Sequence, residues 1–425
     1  MESSLIVAGG GFSGLVAGLA AQRRGIVTVL CEASDRLGGA ANYSRGTIWT
    51  MDEGFLFDNP AGRRDLQELV VRETGVAREW LREQGVEFFE HVDVVYGAGE
   101  RLDVASTIRL LADRFVELGG IIRLGTRIVS AERFANQTSL RIEGGGELWA
   151  DNLILATGGF ASSRELCHEY QVPWEGVRGR AHFFARGDGL RMSLAAGGTH
   201  TSDDMQTFYG HAMANTSREP AGEEWFSISQ IYGHLVTAIS YDGERILPSD
   251  GREAFFSDDE INGVIGHRYG GRAVYLVSQA DLVKEVRPGS ITIANTMSHL
   301  DTWVTDSFVA ADRSSLLSGL KELGVALSPE AEGESDFLAR LVFPVHAMPV
   351  VAGRTLTGGG VYVNGSMQVT AGELAHASPV WDGGLFAVGA DVGGINSGIY
   401  LGGLSSALVT ALRAVSCLEV HRLTC

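Results

Sequence analysis

The chain of 425 residues is poor in cysteine, in positive charge and in long apolar runs. Its four cysteines, at positions 31, 167, 417 and 425, are widely spread and form no CxxC pair, which argues against a redox dithiol or a zinc site. Lysine and arginine total 34 against 52 acidic residues, so the net charge of −18 argues against nucleic acid or an anionic membrane as a partner. No apolar run reaches transmembrane length and no secretory leader is present, so we expect a cytoplasmic protein without a metal site.

Glycine is abundant, with 56 residues, and its most informative cluster lies between two apolar runs near the start of the chain. Residues 5–8 predict a buried strand, residues 15–21 predict a helix, and residues 27–30 predict a second strand just before Glu32. The turn between the first strand and the helix contains the residues Gly9, Gly11, Phe12, Ser13 and Gly14.

This pattern is typical of a dinucleotide-binding βαβ unit. Gly9 permits the tight turn, Gly11 lets the backbone approach a pyrophosphate, and Gly14 lets the helix pack closely against the sheet. The N-terminus of the helix offers free N–H groups and a partial positive charge to phosphates. Glu32 is placed to accept hydrogen bonds from a ribose hydroxyl. A tight turn without a ligand is the alternative that a lone GxGxxG leaves open.

Three further segments resemble the FAD-binding stretches of flavoproteins with two dinucleotide-binding domains. They are 32–39, which ends in a glycine pair, 152–160 with its Ala-Thr-Gly-Gly turn, and 384–391, whose acid Asp391 corresponds to the one near the ribityl chain. No second GxGxxG follows another strand, so we expect FAD and no separate NAD(P) domain. Beyond the first glycine turn and Glu32, the resemblance implies cofactor contacts at Ala33, Gly38, Gly39, Ala40, Ser44, Gly46, Val129, Ala156, Thr157, Gly158, Gly159, Asp188, Gly389, Asp391, Gly403 and Leu404.

The distribution of glycine and of strand-like and helix-like runs along the chain predicts an α/β fold. In this fold a Rossmann-like FAD-binding domain is interrupted by an α+β cap. Residues 1–208 and 346–425 are rich in glycine and are assigned to the FAD-binding domain, and residues 209–345 are assigned to the capping domain. Apolar periodicity predicts helices over 62–86, 105–118 and 404–418. Within the cap, 235–240 and 273–277 are strand-like, whereas 307–311 and 314–323 are helix-like.

Nearly the whole chain resembles the fumarate reductase/succinate dehydrogenase flavoprotein family, which includes the 3-ketosteroid dehydrogenases. The stretch 38–49 matches the segment after the first βαβ unit, and its Ile48-Trp49 pair is most similar to the ketosteroid dehydrogenase branch. The resemblance implies hydride transfer between a C–C bond and the flavin, with one side chain handling the accompanying proton. It also implies a cap domain that closes over a small-molecule substrate.

Two cap residues match functional positions of that family. Arg252 lies approximately where fumarate reductases have the arginine that donates the proton, and a solvated loop arginine is the alternative. His211 matches the substrate-binding histidine at the entrance of the cap, although a lone histidine is often structural.

Other family positions differ in this chain. Leu356 replaces the second dicarboxylate-binding histidine, and Tyr400 replaces the arginine that clamps a carboxylate. The charged proton-relay pair is missing near Ser229 and Tyr232, and no histidine near Tyr43 would bind FAD covalently, so we expect non-covalent FAD. Without the arginine clamp, a dicarboxylate substrate is disfavoured. Tyr400 is similar to a tyrosine that binds the ketone of ketosteroids and favours enolisation, and the alternative is a tyrosine of the core.

These residues lead to one prediction and two alternatives. The prediction is an FAD-dependent oxidoreductase that desaturates or saturates a C–C bond next to a carbonyl, on a mostly apolar, ketosteroid-like substrate. The first alternative is a reductase of an unsaturated carboxylic acid that uses Arg252 as the acid. The second is a flavin-bound electron carrier for a protein partner. The external electron acceptor or donor is not identified by the sequence.

Overall fold

The structure, a computed structural model, describes residues 2–56, 61–94, 97–218, 236–247, 257–281, 305–327, 337–373 and 377–418. The chain divides into two compact units. The first comprises Met1–Tyr170, Ala181–Thr207 and Leu356–Cys425, and the second comprises Gln171–Arg180 and Phe208–Thr355. The short segment 171–180 thus belongs to the second unit, although nothing in its composition separates it from its neighbours. Within the described residues, no helix is long and apolar enough to span a bilayer.

The helices of the described residues are α1 (Phe12–Arg23), α2 (Glu53–Leu56), α3 (Arg64–Glu83), α4 (Val104–Glu117), α5 (Arg164–Glu169), α6 (Asp188–Ala195), α7 (Ser257–Arg268), α8 (Arg313–Glu322) and α9 (Gly403–Ser416). The strands are β1 (Glu2–Ala8), β2 (Thr28–Cys31), β3 (Thr47–Met51), β4 (Phe88–Val94), β5 (Gly97–Leu102), β6 (Ile121–Arg123), β7 (Ile128–Phe134), β8 (Gln137–Ile142), β9 (Glu147–Leu155), β10 (Arg178–Gly179), β11 (Phe208–Tyr209), β12 (Met213–Ala214), β13 (Thr237–Ile239), β14 (Arg272–Ser278), β15 (Phe308–Ala310), β16 (Val345–Val351), β17 (Gly353–Arg354), β18 (Leu356–Thr357) and β19 (Leu385–Ala387).

The first unit is built on a sheet with the order β6-β2-β1-β9, and β19 pairs with the C-terminal part of β9. All of these pairings are parallel. The sheet continues with β8, which pairs antiparallel with the start of β9, and with β7, which pairs antiparallel with β8. Every residue of β2 is buried, as is typical of a parallel strand covered on both faces. Because parallel strands end at the same edge, the turn after β1, the acid after β2 and the turn after β9 meet there.

The second unit contains an antiparallel sheet with the order β12-β16-β14-β13, to which β15 adds by pairing with β16. A buried cluster on this sheet includes Ile265, Tyr275 and Met348, and a second cluster includes Leu316, Leu320 and Ala347. This unit therefore has its own hydrophobic core, as expected for an independent domain.

The predicted α/β class and the parallel FAD-type sheet are confirmed, and most predicted helices and strands are found within a few residues of their predicted bounds. One prediction is wrong, because the helix-like run 307–311 forms strand β15. Five residues are too few to distinguish the two periodicities, and pairing with β16 decides the conformation. The helix predicted over 62–86 runs without a break through Gly75.

Candidate functional site

The glycine turn after β1 brings three backbone segments into direct contact. Gly9 has a φ of +116°, and a Cβ atom there would lie 2.1 Å from the carbonyl oxygen of Ala156. A Cβ atom on Gly14 would lie 1.9 Å from the carbonyl oxygen of Gly9. Side chains at either position would therefore separate β1, α1 and the end of β9. The predicted roles of these two glycines correspond to these close approaches.

Gly11 is different, because the protein around it does not require a glycine. Its φ of −69° is accessible to any residue, and a Cβ atom would meet only the carbonyl oxygen of Gly38, at 3.9 Å. Gly11 also forms the N-cap of α1 and offers no side chain to bond the first turn of the helix. Open space beside an uncapped helix N-terminus fits a pyrophosphate. This observation supports the fit of FAD to the turn.

The acid after β2 is fixed by two backbone groups. Glu32 is buried, and its carboxylate accepts the N–H of Gly10 at 2.6 Å and the N–H of Ser34 at 2.7 Å. Each carboxylate oxygen has a second lone pair, so Glu32 retains capacity for a ribose hydroxyl. The N–H of Gly38 bonds the carbonyl oxygen of Gly10 at 2.9 Å. The two glycine segments that the sequence links to phosphates are therefore directly connected.

Asp391 lies at the centre of the turn that follows β9. Its carboxylate is buried and accepts hydrogen bonds from the N–H of Thr157, from the Thr157 hydroxyl at 3.0 Å, and from the N–H groups of Gly158 and Gly159 at 3.3 Å and 3.1 Å. The Thr157 hydroxyl in turn accepts the N–H of Gly189 at 2.9 Å. Asp391 thus shapes the Ala156–Gly159 turn, and any contact that it makes with the ribityl chain remains a prediction.

Asp188 begins helix α6 and forms a two-point ion pair with Arg127. Both guanidinium–carboxylate distances are 2.8 Å, and Arg127 also contacts Glu143 at 2.7 Å. The bidentate geometry fixes α6 beside β7 and uses both oxygens of the predicted cofactor residue Asp188. Sequence reasoning missed Arg127, because nothing in its local pattern distinguishes it from other surface arginines.

The other predicted cofactor residues fall into three groups. Gly46 packs tightly against β5, since a Cβ atom would lie 2.1 Å from the carbonyl oxygen of Leu102, and Gly389 packs against the Ser13 side chain. The second group is at least partly exposed at the segments already described, and it comprises Ala33, Gly39, Ala40, Ser44, Val129 and Gly403. The remaining predicted contacts, Phe12 and Leu404, are buried in the first turns of α1 and α9. Their contact with FAD remains a prediction.

Tyr400 lies just before helix α9, and its hydroxyl is attached to the first residue of that helix. The N–H of Gly403 donates to the Tyr400 hydroxyl oxygen at 2.8 Å. One residue further on from Tyr400, the N–H of Leu401 bonds the Asn396 side chain at 2.9 Å. The Trp49 ring lies 6.0 Å from the Tyr400 ring at an interplanar angle of 56°. The phenol is therefore held at a helix N-terminus, next to the indole ring of Trp49.

Trp49 is fixed to the same helix by Ser405, which sequence reasoning did not single out. The Ser405 hydroxyl accepts the N–H of Trp49 at 3.2 Å and donates to its carbonyl oxygen at 2.6 Å. Gly402, with a φ of +95°, leaves room for the indole, because a Cβ atom there would lie 2.9 Å from the indole nitrogen. The Leu401-Gly402-Gly403 pattern thus permits the close approach of Trp49 to Tyr400.

The loop before Tyr400 is held by residues of the first unit. The buried Gln67 amide lies 3.3–3.4 Å from the carbonyl oxygens of residues 394, 395 and 397. Asp204 interacts with Ser397 in the same loop, and burial raises the pKa of its carboxyl above the ordinary 3.8. Leu356 is partly exposed and carries no group that could bind a carboxylate.

In the second unit, His211 is ordered by a phenol and by a glycine. The Tyr209 hydroxyl oxygen lies 2.9 Å from Nε2 of His211. A Cβ atom on Gly353 would lie 2.2 Å from the His211 carbonyl oxygen, and the buried Asn262 amide bonds both backbone groups of Gly353 at 2.9 Å. Arg252, like positions 229 and 232, lies outside the described residues. Over the part of the chain that the structure describes, no cluster of three potential metal ligands occurs.

Comparisons with known proteins agree with this architecture. Residues 120–406 match the FAD binding domain family, and residues 4–130 match the FAD dependent oxidoreductase family. A probable fumarate reductase of Shewanella frigidimarina is 22% identical over 451 residues, which cover 94% of this chain and 72% of the relative.

Two solved structures share the fold over nearly their whole length. The 3-ketosteroid-Δ4-(5α)-dehydrogenase of Rhodococcus jostii, solved with 4-androstene-3,17-dione, is 17% identical, with a TM-score of 0.70 and coverage of 97% of this chain and 96% of that chain. The 3-ketosteroid Δ1-dehydrogenase of Sterolibacterium denitrificans, solved with 1,4-androstadiene-3,17-dione, is 14% identical, with a TM-score of 0.72 and coverage of 98% and 99%. At these identities the likeness concerns the fold.

Proposed function

Because the chain belongs to the FAD binding domain family, we propose that it is the oxidoreductase of a C–C bond next to a carbonyl, on a mostly apolar, ketosteroid-like substrate. The coarser class, an FAD-dependent oxidoreductase, follows from the two family matches. FAD, when bound, supplies the acceptor for a hydride from carbon. The substrate class is our inference from the side chains of this chain.

The hydrogen bond from Gly403 to Tyr400 carries the proposal. A hydroxyl that accepts an N–H becomes a stronger donor through its own hydrogen, and the positive end of α9 adds to this effect. Donation from such a phenol to a substrate carbonyl stabilises the enolate that forms when the adjacent carbon loses its proton. Tyr400 is thus suited to acidify the C–H bond beside a ketone.

The residue types at two matched positions favour a ketone over a carboxylate. Tyr400 and Leu356 occupy the two positions where the resemblance leads us to expect an arginine and a histidine for a dicarboxylate. The indole of Trp49 beside Tyr400 offers apolar surface, which suits a substrate ring better than a charged group. The fold likeness to two ketosteroid dehydrogenases is consistent with this substrate class.

The accompanying proton requires a second group, and the family resemblance leads us to propose His211 for it. The hydride and the proton then leave adjacent carbons, and the C–C bond gains its second pair of electrons. Arg252 remains the alternative proton donor if the enzyme works in the reducing direction.

The function is tested by anaerobic bleaching of the bound flavin. The oxidised protein is mixed with 3-ketosteroids, simple ketones and saturated dicarboxylic acids, and the chemically reduced protein is mixed with enones and unsaturated acids. We expect bleaching by a ketosteroid, or reoxidation by its enone, and no reaction with succinate or fumarate. Reaction with the acids alone would contradict the proposal and favour the alternative, a reductase that acts on the C=C bond of an unsaturated carboxylic acid. Reaction with no small molecule would favour the electron carrier.

A further inference from the structure

The segment 182–187, which sequence reasoning did not connect to the cofactor, is fastened to the turn that follows β9. The Ser162 hydroxyl donates to the carbonyl oxygen of His182 at 2.9 Å, and the N–H of Ser162 donates to Ala185 at 2.8 Å. The N–H of Gly187 bonds the carbonyl oxygen of Gly159 at 2.8 Å. These three hydrogen bonds place His182 close to the Ala-Thr-Gly-Gly stretch.

On its other side, His182 approaches the segment that follows the second strand of the βαβ unit. Its ring centroid lies 6.3 Å from that of Tyr43, which is the last residue of the short 3₁₀ turn Gly39–Tyr43 that begins at the glycine pair. The charges of Glu32 and Arg36 both act on the imidazole. The segment after β9 and the 3₁₀ turn after the glycine pair thus meet at one half-buried histidine, and the charge of the predicted ribose acid Glu32 also acts on it.

The hydrogen bonding of the ring determines which nitrogen can donate. The N–H of Phe184 donates to Nδ1 of His182 at 3.4 Å, and an accepting Nδ1 places the hydrogen of a neutral imidazole on Nε2. Burial lowers the pKa of His182 below its ordinary 6.5, which favours this neutral form at pH 7. Nε2–H is then a donor that suits a ribose hydroxyl or a phosphate oxygen.

We propose that His182 is a further FAD-binding residue, whose Nε2–H donates a hydrogen bond to the ribose–diphosphate half of the cofactor. The proposal depends on FAD and not on the substrate argued above, so the two can fail separately. The adenosine half is the part of FAD that Glu32 is predicted to bind, and FMN lacks it. A structural histidine that only fills space between Tyr43 and Phe184 is the competing explanation.

The test measures the affinity of the full, deflavinated chain for FAD, ADP and FMN by flavin fluorescence and, for ADP, by competition. The variants are His182→Phe, which keeps a ring and loses the donor, and His182→Gln, which keeps an N–H donor. His91→Ala is the matched control, because His91 lies exposed in β4 and bonds only Asp93 among the contacts described for it.

We expect His182→Phe to weaken FAD and ADP binding by about fivefold to tenfold, the range of one lost hydrogen bond. FMN affinity should stay within twofold of wild type, and His182→Gln should retain most of the FAD affinity. Unchanged FAD and ADP affinity in His182→Phe would overturn the proposal. Equal losses for FMN and FAD would overturn it as well, since they would indicate a structural role.

Discussion

The hydroxyl oxygen of Tyr400 accepts the N–H of Gly403 across 2.8 Å, so the phenol is attached to the first turn of α9. That bond orders the side chain and polarises its O–H group in the same direction as the helix dipole. The position at which the family resemblance leads us to expect an arginine thus holds a neutral, oriented donor. The following predictions concern this donor, its support and the turn that binds the cofactor.

The close approach of α1 to the glycine turn predicts opposite effects for two Gly→Ala changes. Gly14→Ala should lower the free energy of unfolding by about 1–3 kcal/mol and weaken FAD binding, because its Cβ would lie 1.9 Å from the Gly9 carbonyl oxygen. Gly75→Ala is the matched control within α3, where the new Cβ would meet no atom within 4 Å beyond its chain neighbours and the backbone of the helix itself. It should raise the free energy of unfolding by about 0.5–1 kcal/mol. Denaturant unfolding measures the change in stability of each variant, and FAD titration measures its cofactor affinity. Equal effects of the two changes would contradict the close packing of Gly14 against Gly9.

Ser405 is predicted to support the active site without touching substrate. Ser405→Ala removes both bonds to the buried backbone of Trp49 and should cost about 1–3 kcal/mol of unfolding free energy. Flavin reduction by a ketone should slow, and replacement by cysteine should restore part of the rate. Ser416→Ala in the same helix is the control, since its hydroxyl bonds only local groups at the exposed end. A rate in Ser405→Ala equal to that of the control would argue against this support.

Asp204 predicts a pH dependence of stability with a defined sign. Burial raises the pKa of its carboxyl above 3.8, so the folded chain holds the proton more tightly than the unfolded chain. The stabilisation of the folded state by this bound proton is fully present below pH 3.8. It is lost as the pH rises through the pKa of Asp204 in the folded chain. The free energy of unfolding of Asp204→Asn, relative to wild type, should therefore increase from pH 4 to pH 7. Denaturant unfolding at several pH values measures it, and a constant or decreasing difference would contradict the assignment.

Much of the fold could be predicted, because local patterns determine it. The apolar run 5–8, the three glycines and Glu32 predict the βαβ unit, and the helical periodicity after residue 403 predicts α9. The family match confirms FAD. The run 307–311 has a helix-like pattern but forms a strand, because its conformation depends on a partner strand that the local sequence does not reveal.

The supporting contacts of the site could not be predicted, because they join residues that are distant in the chain. Ser405 and Trp49 are separated by 356 positions, and Asp391 and Thr157 by 234 positions. A serine or an arginine that serves such a partner has the same local pattern as one on the surface. Only the folded chain identifies Ser405, Arg127 and His182 among many residues of the same types.

The most direct test of the account compares wild type with Tyr400→Phe in the anaerobic reduction of the bound flavin by a ketosteroid. The change removes one hydroxyl and keeps the ring beside Trp49, so FAD content and the oxidised spectrum should stay unchanged. The account predicts a rate of flavin reduction lower by about 10²–10³-fold, as for the loss of an oxyanion-stabilising donor. An undiminished rate with full FAD content would contradict the claim that Tyr400 activates a carbonyl.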